Sequence, residues 1–309
     1  MNPTWRHWLP GARRALRRLR SPRNFSIHGN VFKSIGVAMT ASDPGIADEA
    51  FKVRYVHLPD IIRSWVDDFL RFDASDVLDF GCGEGISALG IARRFNARSV
   101  RGVDIMPDPL QCLPRAREAL GLEALPDNLA LHQIRPGERF AAPGSFDLIY
   151  SWSAFEHVAQ PLIGEVLRQL RDVLRPGGRL FIQIAPLYYS SEGSHLYHRV
   201  PEPWGHLLNQ ESVYFDKLCA ACTSKEEVDA LWSCYQTLNR LTVPELKRHL
   251  SDAGFEVLRE FSTEDPHAGG LPAPLLDAFR KEALLLNQIV LLCSVGGQKQ
   301  AGKMRGVAG

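Results

Sequence analysis

The sequence lacks the features that mark several large protein classes. None of its apolar runs reaches the roughly 20 residues that a membrane-spanning helix needs. Its 36 lysines and arginines nearly balance 35 aspartates and glutamates, so the formal net charge is +1 and no overall field marks a nucleic-acid-binding protein. Hydrophobic residues make up 45% and charged residues 23%, as in ordinary globular proteins. These absences leave a globular chain of 309 residues, either one large domain or one domain with a sizeable insertion.

A disulfide framework is also missing, although the chain has six cysteines. A reducing cytosol is therefore the expected compartment. Cys219 and Cys222 stand three positions apart and Cys234 follows, a pattern that raises the question of zinc. A structural zinc site needs four ligands, commonly as two close pairs, and the second pair is absent. We predict packed thiols here, and no metal ion is expected in the protein.

The first 23 residues contain no acid but seven arginines. Apolar residues such as Trp5, Trp8, Leu16 and Leu19 recur there at roughly helical spacing. Two interpretations stay open: an amphipathic segment on an anionic membrane surface, or a disordered or loosely docked basic arm. Residues 1–50 are thus predicted to be a basic arm and lead-in. The protein is expected in the cytoplasm, with peripheral contact to the inner face of the membrane as the functional alternative.

The most informative segment is residues 77–85, where an apolar β-type run ends in Asp-x-Gly-x-Gly-x-Gly. Glycines let a chain turn sharply out of a strand while its backbone approaches a ligand closely. A helical pattern starts at Ile86, and the N–H groups of that helix would point towards the ligand. The segment predicts a loop that binds a nucleotide-type cofactor.

The spacing within this loop distinguishes two cofactors. A dinucleotide fingerprint has a third small residue where this chain has Ile86, whereas here the small residue comes one step earlier, at Gly85. The pattern resembles motif I of the class I S-adenosylmethionine (SAM) methyltransferases, in which the loop passes beneath the methionine part of the cofactor. The resemblance implies that SAM is the cofactor and that its site includes Asp79, Gly81, Cys82 and Gly83.

Three later segments resemble the same family in the same order. Residues 99–105 read as a strand ending in Asp104, which matches the family's ribose-binding acid, and a carboxylate there can accept two hydrogen bonds from a diol. Residues 145–158 resemble the fourth strand and the Glu-His that follows it. Residues 174–184 resemble the Pro-Gly-Gly turn into strand five. The resemblance covers residues 53–185 and adds Ile105, Ser151 and Trp152 to the implied cofactor site.

One position of the family pattern is missing. Many members carry a Gly-Asp after strand three, where the aspartate meets the adenine amino group. This chain has Leu131-His132-Gln133-Ile134-Arg135-Pro136-Gly137-Glu138 there. Backbone groups of Ile134, or Glu138, are expected to serve in its place.

The alternation of strand and helix patterns predicts the fold. It runs to residue 185, stops for some fifty residues, and resumes near Thr242, a good helix N-cap with Glu245 at the capping-box position. We predict an α/β, Rossmann-like, seven-stranded and mostly parallel sheet with an antiparallel last strand, helices on both faces and a lid insertion after strand five. The predicted parts are a SAM-binding core (51–185), the lid (186–240), a completion of the core (241–297) and a flexible tail (298–309).

The insertion is where we expect the methyl acceptor, because ligands in this fold bind beyond the carboxyl ends of the strands. It is rich in tyrosine and histidine, which suits a wet, partly apolar pocket for a sugar or a phenol. Its residues 193–208 resemble bacterial methyltransferases found with polysaccharide or lipopolysaccharide synthesis. We therefore expect O-methylation of a glycan or small-molecule hydroxyl, whose proton an imidazole can take. The candidate bases are, in order, His195, His206 and His198.

Several alternatives stay open at this point. The acceptor atom could instead be nitrogen or carbon on a metabolite, quinone or lipid, or the chain could be a SAM-binding subunit without turnover. A nucleic-acid acceptor is disfavoured, since the site segments show no Asn-Pro-Pro-Tyr-type element. His157 is expected to be structural or close to the cofactor. The three histidines of the insertion could hold a divalent metal, but no acid is interleaved at ligand spacing. The oligomeric state is not predicted.

Overall fold

The computed structural model describes residues 45–142 and 144–296. Nearly all of the predicted arm, including its membrane interpretation, and the predicted tail lie outside these residues. Within the described ranges, none of the helices combines the length and the apolar character needed to cross a membrane.

Seven strands form one sheet in the order β3-β2-β1-β4-β5-β7-β6. The strands are β1 (Asp76–Phe80), β2 (Ser99–Asp104), β3 (Leu129–Gln133), β4 (Phe146–Trp152), β5 (Leu174–Ile184), β6 (Phe255–Glu264) and β7 (Leu286–Val295). Strands β1 to β5 pair in parallel, whereas β7 runs antiparallel to both of its neighbours. The predicted mostly parallel sheet with an antiparallel last strand is confirmed.

Helices cover both faces of this sheet. They are α1 (Glu49–Lys52), α2 (Leu58–Val66), α3 (Ile86–Arg94), α4 (Cys112–Leu120), α5 (Ile163–Val173), α6 (Gly205–Leu208), α7 (Glu211–Ala221), α8 (Lys225–Gln236), α9 (Val243–Asp252), α10 (Ala273–Ala278) and α11 (Lys281–Leu284). Buried side chains of α2, α3 and α4 form one apolar core with the sheet, and those of α5 and α9 form a second core on the other face. Thr242 and Glu245 make the predicted capping box at the start of α9.

Apolar residues recur at helical spacing from residue 51 to residue 72 and predict one helix before β1, but the structure differs. Helices α1 and α2 are joined by a wider, π-helical turn at Val53–His57, and α2 ends at Val66. Pro59 explains the turn, because it has no N–H to donate to the carbonyl of Tyr55. That carbonyl instead packs against α3, where a Cβ on Gly90 would lie 2.3 Å from it. Glycine at position 90 therefore lets α3 lie close to the leading helices.

The Pro-Gly-Gly turn also differs from its expected place ahead of strand five. Strand β5 begins at Leu174, before the turn, and its pairing with β4 skips from Leu174 to Arg179. Gly177, with a φ of +81°, lies within this irregularity. The turn is thus a bulge inside the strand.

The insertion after β5 carries α6, α7 and α8. It has an apolar cluster of its own that includes Leu196, Tyr214, Leu218 and Tyr235. The backbone N–H of Asn239, at its end, donates to the carbonyl of Glu156 behind β4. This bond joins the end of the insertion to the segment behind β4.

Candidate functional site

The loop between β1 and α3 is shaped by three glycines with left-handed backbone conformations. Their φ angles are +81° at Gly81, +54° at Gly83 and +73° at Gly85. A Cβ on Gly81 would lie 2.3 Å from the Cβ of Ala154, and one on Gly85 would lie 2.5 Å from Leu131. At Gly81 and Gly85 a larger residue is excluded both by the left-handed backbone conformation and by the neighbouring atoms that its Cβ would meet. Glycine at these positions therefore lets the loop of residues 81–85, here called the cradle, pack tightly against Ala154 and Leu131 at the carboxyl end of β1.

Asp104, at the end of β2, is joined to this loop. Its Oδ2 accepts a hydrogen bond from the backbone N–H of Gly83, and its Oδ1 accepts one from that of Met106, each at 2.8 Å. Each carboxylate oxygen has lone pairs beyond these two bonds. The carboxylate is thereby fixed in orientation, and it retains the capacity to accept from a ribose diol.

Asp79 lies beneath the loop and is only 2% exposed. Its Oδ2 accepts from the hydroxyls of Ser87 and Tyr150, each at 2.7 Å, so it ties β1 to α3 and β4. Burial raises the pKa of this carboxyl to about 7, against the lowering effect of the two hydroxyls. The geometry makes Asp79 a support for the loop, and direct contact with the cofactor stays a prediction.

A test of this support follows from the raised pKa of Asp79. The folded protein holds the proton more tightly than the unfolded chain, so the contribution of Asp79 to stability falls as pH rises from about 4 to about 7. Asp79→Asn should remove this loss of stability, which is on the order of 2–4 kcal/mol over the whole pH range. Denaturant unfolding across this pH range measures it, with the exposed Asp127→Asn as control. Equal slopes in wild type and Asp79→Asn would contradict the assignment.

The other predicted cofactor residues lie at the carboxyl ends of the same strands. Cys82 is buried in the loop, and its backbone N–H donates a hydrogen bond to the carbonyl of Val103. Burial raises the pKa of its thiol. Ile105 is 46% exposed beside Asp104, and the backbone N–H of Ile134 donates to the carbonyl of Asp104. The strands therefore bring Cys82, Ile105 and Ile134 around the cradle.

The last two predicted cofactor residues, Ser151 and Trp152, lie on β4. Ser151 is fully buried, and its hydroxyl has no partner among the described residues. The ring of Trp152 stacks on that of Phe181, with centroids 6.1 Å apart, as part of the apolar core. Their contact with a cofactor stays a prediction.

The structure separates the three candidate bases. His198 is an exposed residue, unlike the other two. His206 is buried, its Nε2 lies 2.6 Å from the carbonyl of Tyr188, and burial lowers its pKa to about 4. His195 has its Nε2 3.1 Å from the carbonyl of Pro186, and burial lowers its pKa to about 4 as well. His195 and His206 are thus neutral at pH 7, each held by a backbone carbonyl.

A cavity lies between the ends of β4 and β5, the insertion and α9. Its lining includes Glu156, Tyr188, Asn239, Arg240 and Leu246. Arg240 has a φ of +58°, and its guanidinium lies 5.1 Å from the ring centroid of Tyr188. Asn239 and Arg240 were not predicted as site residues, because neither stands in a recognisable sequence motif. Glu156 does stand in one, the Glu-His after β4.

Glu156 is the most unusual group in this lining. It is 5% exposed, and neither carboxylate oxygen has a hydrogen-bond partner among the described residues. Burial raises its pKa to about 8. The ring of the next residue, His157, meets that of His195 edge-on at 5.5 Å between centroids.

Comparisons with known proteins agree with this geometry. A family model described as "Methyltransferase domain" matches residues 55–260. The chain is 34% identical over 119 residues to the ubiquinone biosynthesis O-methyltransferase of Albidiferax ferrireducens, covering 38% of this chain and 44% of that protein. It is 35% identical over 115 residues to methyltransferase GfsG of Streptomyces halstedii, covering 36% and 39%. The matches thus span less than half the length of these curated relatives.

A solved structure shares the fold. It is that of a putative sarcosine dimethylglycine methyltransferase from Galdieria sulphuraria, with a TM-score of 0.50 at 16% identity, covering 78% of this chain and 86% of that chain. The strand order and the family match over two thirds of the chain lead to one conclusion. This chain belongs to the methyltransferase-domain family and has the class I, SAM-dependent methyltransferase fold.

Proposed function

We propose that this chain transfers a methyl group from SAM to a hydroxyl oxygen of a small molecule. The observation that carries the proposal is the contact between the glycine loop and the segment behind β4. Gly81 packs against Ala154, and Glu156, two residues further on, lines the cavity beneath the insertion. A cofactor bound at the cradle and an acceptor bound in the cavity would therefore lie on either side of the short segment from Ala154 to Glu156, close enough to react.

The cofactor supplies an activated methyl carbon bound to a positively charged sulfur. We propose that the backbone of Gly81 and Gly83 approaches its methionine part and that Asp104 accepts from its ribose hydroxyls. Ile105 and the backbone of Ile134 are placed to contact the adenine. The fixed carboxylate of Asp104 would orient the cofactor without rearrangement, since Gly83 and Met106 already hold it.

The cavity suits a partly apolar acceptor. Leu241, Val243 and Leu246 supply an apolar wall, and Tyr188 and Arg240 supply a ring face and a cation. A phenol or a similar ring with a polar substituent fits this mixture of groups. The printed name of one relative, an O-methyltransferase of ubiquinone biosynthesis, supports oxygen as the acceptor atom.

The proton of the hydroxyl must leave as the O–CH₃ bond forms and the S–CH₃ bond breaks. We propose His195 as the residue that receives it or directs its loss. A carbonyl can only accept, so Nε2 of His195 donates to Pro186, and the lone pair is on Nδ1. His206 is a weaker candidate, because its Nδ1 is sealed within the protein.

Replacing His195 by glutamine should lower kcat by about 100-fold or more and leave the SAM dissociation constant unchanged. His249→Gln, in the last turn of α9, is the matched control, since this histidine is neither in the cavity lining nor among the contacts that His195 makes with Pro186 and His157. Steady-state kinetics and calorimetry give the two quantities. A His195→Gln enzyme at full rate would instead favour an amine acceptor, which has less need of a base.

The acceptor itself can be tested with a panel of phenols, catechols, free sugars and primary amines. The measurement is S-adenosylhomocysteine formed when each is added to the full chain and SAM. Turnover with hydroxyl compounds is the expected result. Turnover with amines alone would overturn the proposal, and SAM binding without turnover on any acceptor would support the non-catalytic subunit.

A further inference from the structure

Within the described residues, one group of three metal-type ligands comes together: Glu156, His157 and His195. One ligand atom from each lies within 4.8 Å of the others. Two of them are adjacent in the turn behind β4, and the third comes from the insertion, 38 positions further on. The sequence predicts no metal, and it offers only the histidines of the insertion as possible ligands, because the meeting of His157 with His195 depends on the fold.

Both imidazoles are locked in the tautomer that a metal ligand needs. The hydroxyl of Thr237 donates to the carbonyl of Cys234 and so accepts from Nδ1 of His157 at 2.7 Å. The carbonyl of Pro186 accepts from Nε2 of His195. In each ring one nitrogen donates its proton to an oxygen outside the group of three ligands. The lone pair is therefore on Nε2 of His157 and on Nδ1 of His195. Metal-binding histidines are commonly oriented in this way.

Glu156 completes the donor set. Both of its oxygens are buried without a partner among the described residues, a costly arrangement for a carboxyl group. An ion between it and the two imidazoles would satisfy the carboxylate and displace its proton.

The backbone around the site is built to hold this arrangement. Asn239 clamps the Glu156 turn, since its backbone N–H donates to the carbonyl of Glu156 and its side chain donates to those of Phe155 and Val158. His195 itself has a left-handed φ of +61°, which is costly for a residue other than glycine. A strained residue persists only where the surrounding structure imposes it, which is common at binding sites.

We propose that Glu156, His157 and His195 bind a divalent cation of the zinc class. Two imidazoles and one carboxylate suit zinc and its transition-metal neighbours, whereas magnesium prefers oxygen ligands. Three protein ligands leave a position open for an oxygen of water or of the acceptor. With the ion bound, Nδ1 of His195 is a ligand, so His195 would direct the loss of the acceptor's proton through the ion and would not itself receive it. This role rests on the proposed function, whereas the binding of the ion does not.

The test uses the full chain, freed of metal with a chelator and titrated with zinc in a calorimeter. One ion per chain should bind. Glu156→Gln and His195→Gln should each weaken binding by more than about 100-fold, and Thr237→Val by about 10- to 100-fold, with Thr237→Ser restoring it. The exposed His132→Ala and the double variant Cys219→Ser/Cys222→Ser should bind zinc like the wild type.

Melting temperatures show whether a variant that fails to bind zinc is nevertheless folded. Metal-free Glu156→Gln should melt at or above the temperature of the metal-free wild type, because it removes a buried, unpartnered acid. Zinc should raise the melting temperature of the wild type and not that of Glu156→Gln. The proposal is overturned if the wild type binds no zinc, if both ligand variants bind it normally, or if only the cysteine variant loses it. None of these outcomes depends on methyl transfer.

Discussion

Gly81→Ala should weaken SAM binding by about 100-fold or more. Two costs add at this position: the left-handed φ of +81°, and a Cβ that would lie 2.3 Å from the Cβ of Ala154. Ala154 has no side-chain torsion through which it could yield. The loop must therefore move, and it would move away from the position that holds the cofactor. Calorimetry with SAM and with S-adenosylhomocysteine measures the loss.

Gly137→Ala separates the cost of the left-handed backbone from the cost of the steric clash. Gly137 has a nearly equal φ of +76°, but a Cβ there would meet no atom within 4 Å. This variant should lose some stability through backbone strain and bind SAM within a few-fold of the wild type. If both variants bind SAM equally well, the close packing of the loop against β4 does not shape the cofactor site. Thermal melts confirm that each variant is folded before its affinity is compared.

Asp104→Ala should also weaken SAM binding strongly, by roughly 10- to 100-fold for each ribose hydroxyl that loses its charged acceptor. The variant also frees the N–H groups of Gly83 and Met106, so the glycine loop loses a tie to β2. Asp104→Ala should therefore lose more SAM affinity than Asp104→Asn, because the asparagine side chain keeps one carbonyl oxygen that can accept hydrogen bonds.

The exposed Asp127→Ala controls for the loss of a negative charge on the same half of the sheet. It should leave the affinity unchanged. Comparison with 2′-deoxyadenosyl and 3′-deoxyadenosyl analogues of S-adenosylhomocysteine sharpens the test. Wild type should bind them less well than the parent compound, and Asp104→Ala should not discriminate. Discrimination that survives in Asp104→Ala would place the ribose elsewhere.

The fold was predictable because its signals are local. Alternation of strand and helix patterns, the glycine loop and the Thr242 cap each depend on a few neighbouring residues. Two local details were not predicted, namely the π-helical turn at Val53–His57 and the start of β5 at Leu174. Pro59 contributes to the first, but both also depend on partners distant in sequence: α3 packs against the first, and β4 pairs with the second.

The site was predictable only in part, for the same reason. The strand ends that carry Gly81, Asp104 and Ile134 follow from the parallel sheet. The cavity residue Arg240 and the meeting of His195 with His157 depend on how the insertion folds back over β4. No sequence motif indicates how the insertion folds back. The histidines of the insertion could therefore be identified as candidate bases from the sequence, but their contacts could not be predicted.

The central claim is that the glycine loop holds SAM, and calorimetric titration of the full chain with SAM and with NADH tests it most directly. The account predicts one SAM site per chain and no binding of NADH, because Ile86 stands where a dinucleotide loop needs a small residue. Tight binding of NADH together with no binding of SAM would contradict it.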